Sequence, residues 1–229
     1  MRAEVLRAAP PTFQLVFADS CDAAHQAEAA CDADFLLAGF ASIDAALVAR
    51  RTRLTTVHKW GIGIDSIDLN VLRARGIALA ITAGGNAGPV AELALALMLS
   101  VYRRLPYVQR TLREGRWVTS EMRETGLQVS KKTIGLPGFG HIARALARRL
   151  SGFDAGIFYF DPKRAKPAVE ASLKVEYQST EKILRSSDIV SLHMPLHPST
   201  TKIINVGFLA KIKDGAVLIN TARGGIVDG

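Results

Sequence analysis

Cysteine is scarce: the 229 residues hold two, Cys21 and Cys31. Two are too few for a disulfide framework and show no metal-ligand spacing, so stapled secreted scaffolds are excluded and a reducing compartment, the cytoplasm, is expected. Long apolar runs are missing as well. The most apolar stretch, Val90 to Tyr102, is shorter than a bilayer span and carries Glu92, and Met1-Arg2-Ala3-Glu4-Val5 has no apolar signal-peptide core. Neither a membrane partner nor a targeting segment is expected. Low-complexity tracts are also absent, because the 19 Gly and 9 Pro are scattered between apolar runs as turn punctuation. What remains, 48% hydrophobic and 22% charged residues, is a globular composition that rules out disorder, collagen and coiled coil. The length suits one large or two small domains.

Charge is unevenly placed. The formal net charge is +8, but residues 1–100 hold 8 Lys and Arg against 10 Asp and Glu, and residues 101–229 hold 21 against 11. A basic second segment suits an anionic partner, either a nucleotide cofactor or nucleic acid. These charges fall at helical spacings, apart from aromatics, and no recognition motif accompanies them, so no nucleic-acid partner is expected.

The first segment alternates apolar runs at 13–17, 35–39, 54–58 and 77–81 with helix-like stretches from Ile43 to Arg50 and Asp68 to Arg75. Such alternation argues for a parallel α/β sheet. Gly88-Pro89 then introduces a run to Arg104 that reads as one long, mostly buried helix, with Pro at its first position and Arg in its last turn. Its wide apolar surface suits either core packing or a contact between domains or subunits. From Lys132 a second series begins, with strands expected at 133–136, 157–161, 188–193 and 216–220 and a helix from His141 to Leu150. The expected division is 1–85 and 86–229.

Gly138-Phe139-Gly140-His141-Ile142-Ala143 sits between a strand and a helix and matches the dinucleotide fingerprint, with Ala in the third small position. The first glycine permits the turn, and the second lets a pyrophosphate approach the backbone. The N–H groups and dipole at the helix start then hold the phosphates, from Gly138 to Ile142. Asp161 follows the next strand, where an acid can bind the adenosine ribose hydroxyls and repel a 2′-phosphate. NAD is therefore expected over NADP, with Lys163 and Arg164 as the features that would favour NADP.

Further strings carry a resemblance. They are Lys59-Trp60-Gly61-Ile62-Gly63-Ile64-Asp65-Ser66-Ile67-Asp68, Asn86-Ala87-Gly88-Pro89-Val90-Ala91-Glu92, His193-Met194-Pro195-Leu196 and Asn220-Thr221-Ala222-Arg223-Gly224-Gly225-Ile226-Val227-Asp228. With the glycine fingerprint, and in this order, they resemble the D-isomer-specific 2-hydroxyacid dehydrogenases. The resemblance implies a flavodoxin-like substrate domain and a Rossmann-type NAD-binding domain. It also implies hydride transfer between nicotinamide and a small D-2-hydroxy or 2-oxo acid, and a homodimer paired through the long helix.

Site roles follow from that likeness and from the residues. Gly61-Ile62-Gly63, after a strand, can aim backbone N–H groups at a substrate carboxylate, and Lys59 either adds a charge there or is solvated. Asn86 resembles an active-site amide, its other role being to cap the long helix. Arg223, just past a strand end, can clamp a carboxylate and polarise the neighbouring carbonyl. Thr221 and Ala222 are implied along the nicotinamide half, and His193 to Pro195 near the cofactor.

The resemblance places the family's proton-donating His, with its Glu partner, beyond the Arg-Gly-Gly string, and the 229 residues contain neither. A chain truncated at its C-terminus, and short at its N-terminus because Met1 to Ala9 already reads as a helix, is the expectation, with weak or no turnover. The alternative is an NAD-binding sensor or scaffold. Pro137, without an N–H, is expected to weaken strand pairing.

Overall fold

A computed structural model describes residues 2–20, 22–49 and 53–229. Met1, Cys21 and Arg50, used above, lie outside the described residues. The chain divides into two compact units, Met1–Ala83 and Gly84–Gly229.

In the first unit, helices α1 (Arg2–Ala8) and α2 (Ala23–Ala29) precede β1 (Phe35–Ala38), α3 (Ala45–Ala49), β2 (Thr56–Lys59), α4 (Leu69–Ala74) and β3 (Ala78–Ile81). The strands are parallel in the order β1-β2-β3, with Leu36 opposite Val57 and Val57 opposite Leu79. The Asp68 carboxylate accepts the Asn70 and Val71 N–H groups and so fixes the start of α4. The core is small, built on Ile43, Val48, Leu54, Val57 and Leu72. One expectation fails here: residues 13–17 are not a strand. Their N–H and C=O groups join no ladder, and Phe13 and Val16 are 51% and 65% exposed, so the run lacks both the edge partner and the covered face a strand needs. Phe13 instead stacks its ring on Phe35.

The second unit opens with α5 (Ala87–Tyr102), α6 (Leu105–Arg113) and α7 (Thr119–Thr125). There follow β4 (Thr133–Pro137), α8 (His141–Leu150), β5 (Gly156–Phe160), α9 (Pro167–Leu173), β6 (Val175–Tyr177), α10 (Thr180–Ser186), β7 (Ile189–Leu192), α11 (Val206–Leu209) and β8 (Val217–Asn220). Five parallel strands lie in the order β6-β5-β4-β7-β8. This is the Rossmann arrangement, wound outward in both directions from β4, and it puts the reversal of strand order between β4 and β7. Ile134 and Leu136 of the central strand are fully buried, as a strand covered on both faces requires.

Helix α5 differs from expectation in two ways. It starts at Ala87, so Pro89 is its third residue, which the first turn tolerates because its N–H groups have no helical partner anyway. It is also buried along one face only: Ala91, Ala94, Met98 and Tyr102 are covered, while Leu93, Leu97 and Val101 are 53%, 37% and 48% exposed. Helices α5 and α8 run side by side in the same direction. Gly84, just ahead of α5, lies against His141 at the start of α8, and Arg149 near the end of α8 pairs with Glu92 at 2.6 Å.

Pro137 does not end the pairing of β4. It sits opposite Phe160 of β5, and its carbonyl accepts the His193 N–H at 2.9 Å. The absent N–H therefore falls on the β7 side, where the ladder registers two residue pairs, Ile134 with Ile189 and Gly135 with Val190.

Candidate nucleotide and substrate site

All five strands of the second unit are parallel, so the loops leaving β4, β5, β7 and β8 share one edge of the sheet. The loop after β4 is the glycine fingerprint. Gly138 has φ +87°, and a Cβ there would stand 2.6 Å from both the His193 carbonyl carbon and the Met194 nitrogen. The loops after β4 and β7 are thus in backbone contact, which only glycine permits. Gly140 is the opposite case: it is exposed and nothing lies within 4 Å of its Cβ position. It is the N-cap of α8 with no side chain to occupy the free N–H groups, and His141 and Ile142 open the first turn. Ala143 is fully buried against the sheet.

Asp161 follows β5 and is tied to this loop. Its Oδ2 accepts the Phe139 N–H at 2.9 Å, and its Oδ1 accepts the Lys163 N–H at 3.0 Å. Near the end of β7, Ser191 is fully buried and its Oγ lies 3.0 Å from Nε2 of His193, the first residue beyond the strand. Burial pushes the His193 imidazole down to about 4, so it is neutral near pH 7. The Pro195 carbonyl accepts the Thr200 hydroxyl at 2.6 Å, which folds the following loop back on itself.

After β8, the Asn220 side chain braces the turn. Its Oδ1 accepts the Ala222 N–H at 3.0 Å and its Nδ2 donates to the Arg223 carbonyl at 2.9 Å. Arg223 itself is half-buried, and its Nη1 donates to the Ala222 carbonyl at 2.9 Å. Thr221 Oγ1 is buried with no hydrogen-bond partner among the described residues. Asn86 is the exposed N-cap residue of α5, yet its side chain makes no capping bond, which leaves the amide available to a ligand. The second unit therefore brings the loops of Gly138, Asp161, Pro195 and Arg223 to one edge.

In the first unit Lys59 ends β2. It is 8% exposed, not solvated, and its Nζ donates to the Gly39 carbonyl. The turn that follows has Gly61 at φ +141°, with its N–H taken by the Lys59 carbonyl at 2.9 Å. Ile62 is 49% exposed, and Ile62 and Gly63 donate to no backbone carbonyl among the described residues. Any backbone anion nest here is thus formed by the N–H groups of Ile62 and Gly63.

Sequence reasoning missed the supporting residues. The brace from Asn220 had a legible signal, since Asn bonds its own backbone two residues on in an Asx turn. The Ser191 bond to His193 had a weaker one: residues two apart in the strand expected at 188–193 share a face, but nothing marks them as bonded.

Residues 95–229 match the family model described as "D-isomer specific 2-hydroxyacid dehydrogenase, NAD binding domain". The chain is 39% identical over 186 residues to a hydroxypyruvate reductase of Thermotoga maritima, covering 81% of this chain and 59% of that protein. It is 36% identical over 198 residues to D-3-phosphoglycerate dehydrogenase of Mycobacterium tuberculosis, covering 86% and 37%. Among solved structures, a Granulicella formate dehydrogenase matches with a TM-score of 0.81 at 30% identity, over 88% of this chain and 55% of that one. NAD-dependent formate dehydrogenase from Staphylococcus aureus, solved in complex with NAD, matches with a TM-score of 0.79 at 27% identity, over 93% and 63%. The chain spans from 35% to 59% of the length of the curated relatives it matches. With the glycine loop, the acid after β5 and the Arg-Gly-Gly turn gathered on one sheet edge, these matches leave one assignment: the chain belongs to the D-isomer-specific 2-hydroxyacid dehydrogenase family.

Proposed function

We propose that the chain binds NAD(H) at the carboxyl edge of the second unit's sheet and serves hydride transfer between nicotinamide and a small D-2-hydroxy or 2-oxo acid. The observation that carries this reading is that Gly138, Asp161 and Arg223 end or follow strands of one parallel sheet, on the side where ligands bind. The residues fit a dinucleotide. The open space over Gly140 admits a pyrophosphate, and the unpartnered Thr221 hydroxyl is a polar group that a ligand can satisfy. In this reading residues 1–85 form the substrate-binding domain and 86–229 the NAD-binding domain.

The N–H groups from Gly138 to Ile142, helped by the first turn of α8, hold the pyrophosphate. Asp161 takes the ribose hydroxyls and disfavours a 2′-phosphate, so NAD is preferred over NADP. Pro195, Thr221 and Ala222 line the nicotinamide half, where the bound cofactor gives or accepts a hydride. The Arg223 guanidinium clamps the substrate carboxylate and polarises the 2-oxo group, with Asn86 hydrogen-bonding substrate oxygens. Lys59, Ile62 and Gly63 are the first unit's contribution to substrate. The exposed stripe on α5 is the surface through which two copies pair, and the paucity of cysteine puts the protein in the cytoplasm.

Proton delivery is assigned to no residue of these 229. His193 is a poor general acid near neutrality, because burial pushes its imidazole down to about 4 and the neutral ring holds its remaining N–H proton tightly. That observation favours weak turnover by this chain taken alone, and with it a second reading as a binding module. Losing a general acid typically costs about 10²–10⁴-fold in rate. Steady-state NADH formation with a panel of D-2-hydroxy acids tests this. Turnover on the order of 10 s⁻¹, the enzyme median, overturns the weak-turnover reading, and failure to bind NADH in calorimetry overturns the cofactor assignment.

A further inference from the structure

The loop that follows Asp161 carries two cations, Lys163 and Arg164, that could serve a 2′-phosphate on the ribose. Arg164 is engaged elsewhere. Its Nε and Nη2 donate to Oε1 and Oε2 of Glu170 on α9, at 2.9 and 3.0 Å, and its guanidinium lies over the Tyr177 ring, 5.2 Å from the centroid. This is a two-pronged pair in fork geometry, which a single-point ion pair does not reproduce.

Glu170 is in turn fixed from behind. Tyr159, fully buried on β5 two residues ahead of Asp161, donates its hydroxyl to Glu170 Oε1 at 2.6 Å. The same tyrosine oxygen accepts the Ala165 N–H at 3.0 Å, so one buried hydroxyl ties the loop backbone to the carboxylate. The Glu170 side chain is 14% exposed and that of Arg164 61% exposed, which makes the acid the anchor and the arginine the tethered group. The bonds from Arg164 and Tyr159 hold the Glu170 carboxyl down at about 2, so it is charged near neutral pH.

We propose that Glu170 is a specificity-determining residue: by taking the bidentate edge of the Arg164 guanidinium and cancelling its charge, it withholds from a 2′-phosphate the arginine nearest the ribose acid in sequence. The preference for NAD then has two sources, repulsion by Asp161 and sequestration of Arg164. The inference rests on the proposed NAD site and deepens it. It needs no movement of Asp161, whose two backbone bonds are independent of Glu170.

The test measures dissociation constants for NADH and NADPH by fluorescence titration at low salt, so it does not depend on turnover. Glu170→Gln keeps an oxygen to accept the Tyr159 hydroxyl but drops the charge. It is expected to narrow the NADPH-to-NADH ratio of dissociation constants by about two- to fivefold, the range for an exposed ion pair. Arg164→Met leaves the wild-type ratio in place, and Glu170→Gln with Arg164→Met loses the gain. Arg164→Lys, which leaves Glu170 untouched but cannot be held as a fork, narrows the ratio in the same direction and keeps the test decisive if Glu170→Gln folds poorly. Unchanged ratios in Glu170→Gln and Arg164→Lys, with NADH bound normally, overturn this inference alone. A gain that survives in the double variant also overturns it. Failure of the unmodified chain to bind NADH overturns the cofactor reading and this one together.

Discussion

Alanine at position 138 would put a methyl group 2.6 Å from the His193 carbonyl carbon and the Met194 nitrogen, and 2.8 Å from the His193 oxygen. All three are backbone atoms, so relief demands a shift of the loop after β7 and cannot come from a side-chain rotation. The φ of +87° adds a second cost. A side chain in the left-handed region costs about 1–2 kcal/mol, and forcing an extra methyl into a filled space about 1–3 kcal/mol. Gly138→Ala should therefore lose about 2–5 kcal/mol of stability, the two penalties acting together. Gly140→Ala, two residues on, is the control: its φ of −78° suits alanine. The poorer N-cap and the lower entropy of the unfolded chain offset one another to within about 1 kcal/mol. Its methyl group, however, would stand in the open space proposed above for the pyrophosphate. Urea melts should place Gly138→Ala well below the parent and Gly140→Ala beside it, while NADH titration should show Gly140→Ala weakened by about tenfold or more, 1.4 kcal/mol. A Gly138→Ala chain that melts like the parent would refute the backbone-contact argument. Undiminished NADH affinity in Gly140→Ala would refute the placement of the pyrophosphate.

Three further outcomes are expected. Asp161→Ala should narrow the NAD preference and also lower the melting temperature, because the Phe139 and Lys163 N–H groups lose their acceptor; calorimetry with both cofactors and a thermal melt check the two effects separately. His193 binds a proton more weakly in the folded chain, at about 4 against an ordinary 6.5, so below pH 6.5 the unfolded chain takes up a proton that the folded one refuses. Stability should be full above about pH 6.5, fall by up to about 3 kcal/mol as the pH drops to about 4, and level off below, and His193→Asn should flatten that slope in urea melts. Leu97→Glu, in the exposed stripe of α5, should shift sedimentation from dimer to monomer with little change in melting temperature; a parent chain that is already monomeric at high concentration refutes the pairing surface.

The second unit was the more legible in the sequence, for a physical reason. A buried parallel strand is a continuous apolar run, and 157–161 and 188–193 are visible as such, whereas β6 is three residues long with Glu176 at its centre and gives no such signal. The short helices α9 and α10 escaped notice because seven residues do not complete two turns of amphipathic pattern. The run at 13–17 misled because apolar content says what a segment could bury, and not whether a ladder partner stands beside it. The places of Gly138, Asp161 and Arg223 beyond the ends of β4, β5 and β8 were readable from the sequence. The contacts that steady them were not. Tyr159, Glu170 and Arg164 meet through a strand, a loop and a helix, and Ser191 meets His193 only because both side chains lie at the end of β7.

Helices α5 and α8 begin at the same edge and run the same way, registered by the contact of Gly84 with His141 and the pairing of Glu92 with Arg149. Two helices aligned in this manner present like partial charges to each other at both ends, an arrangement that disfavours its own assembly. Ala91 and Ala94 on one helix and Ala143 and Ala147 on the other, all fully buried in a single cluster, supply the close packing that holds the pair despite this. An anion lodged between the two starting turns would relieve the repulsion, by about 0.3–1 kcal/mol for each helix. With the pyrophosphate at its proposed place, ligand binding and cohesion would be one electrostatic problem in this unit: what would attract a phosphate also keeps the two helices mildly at odds without it.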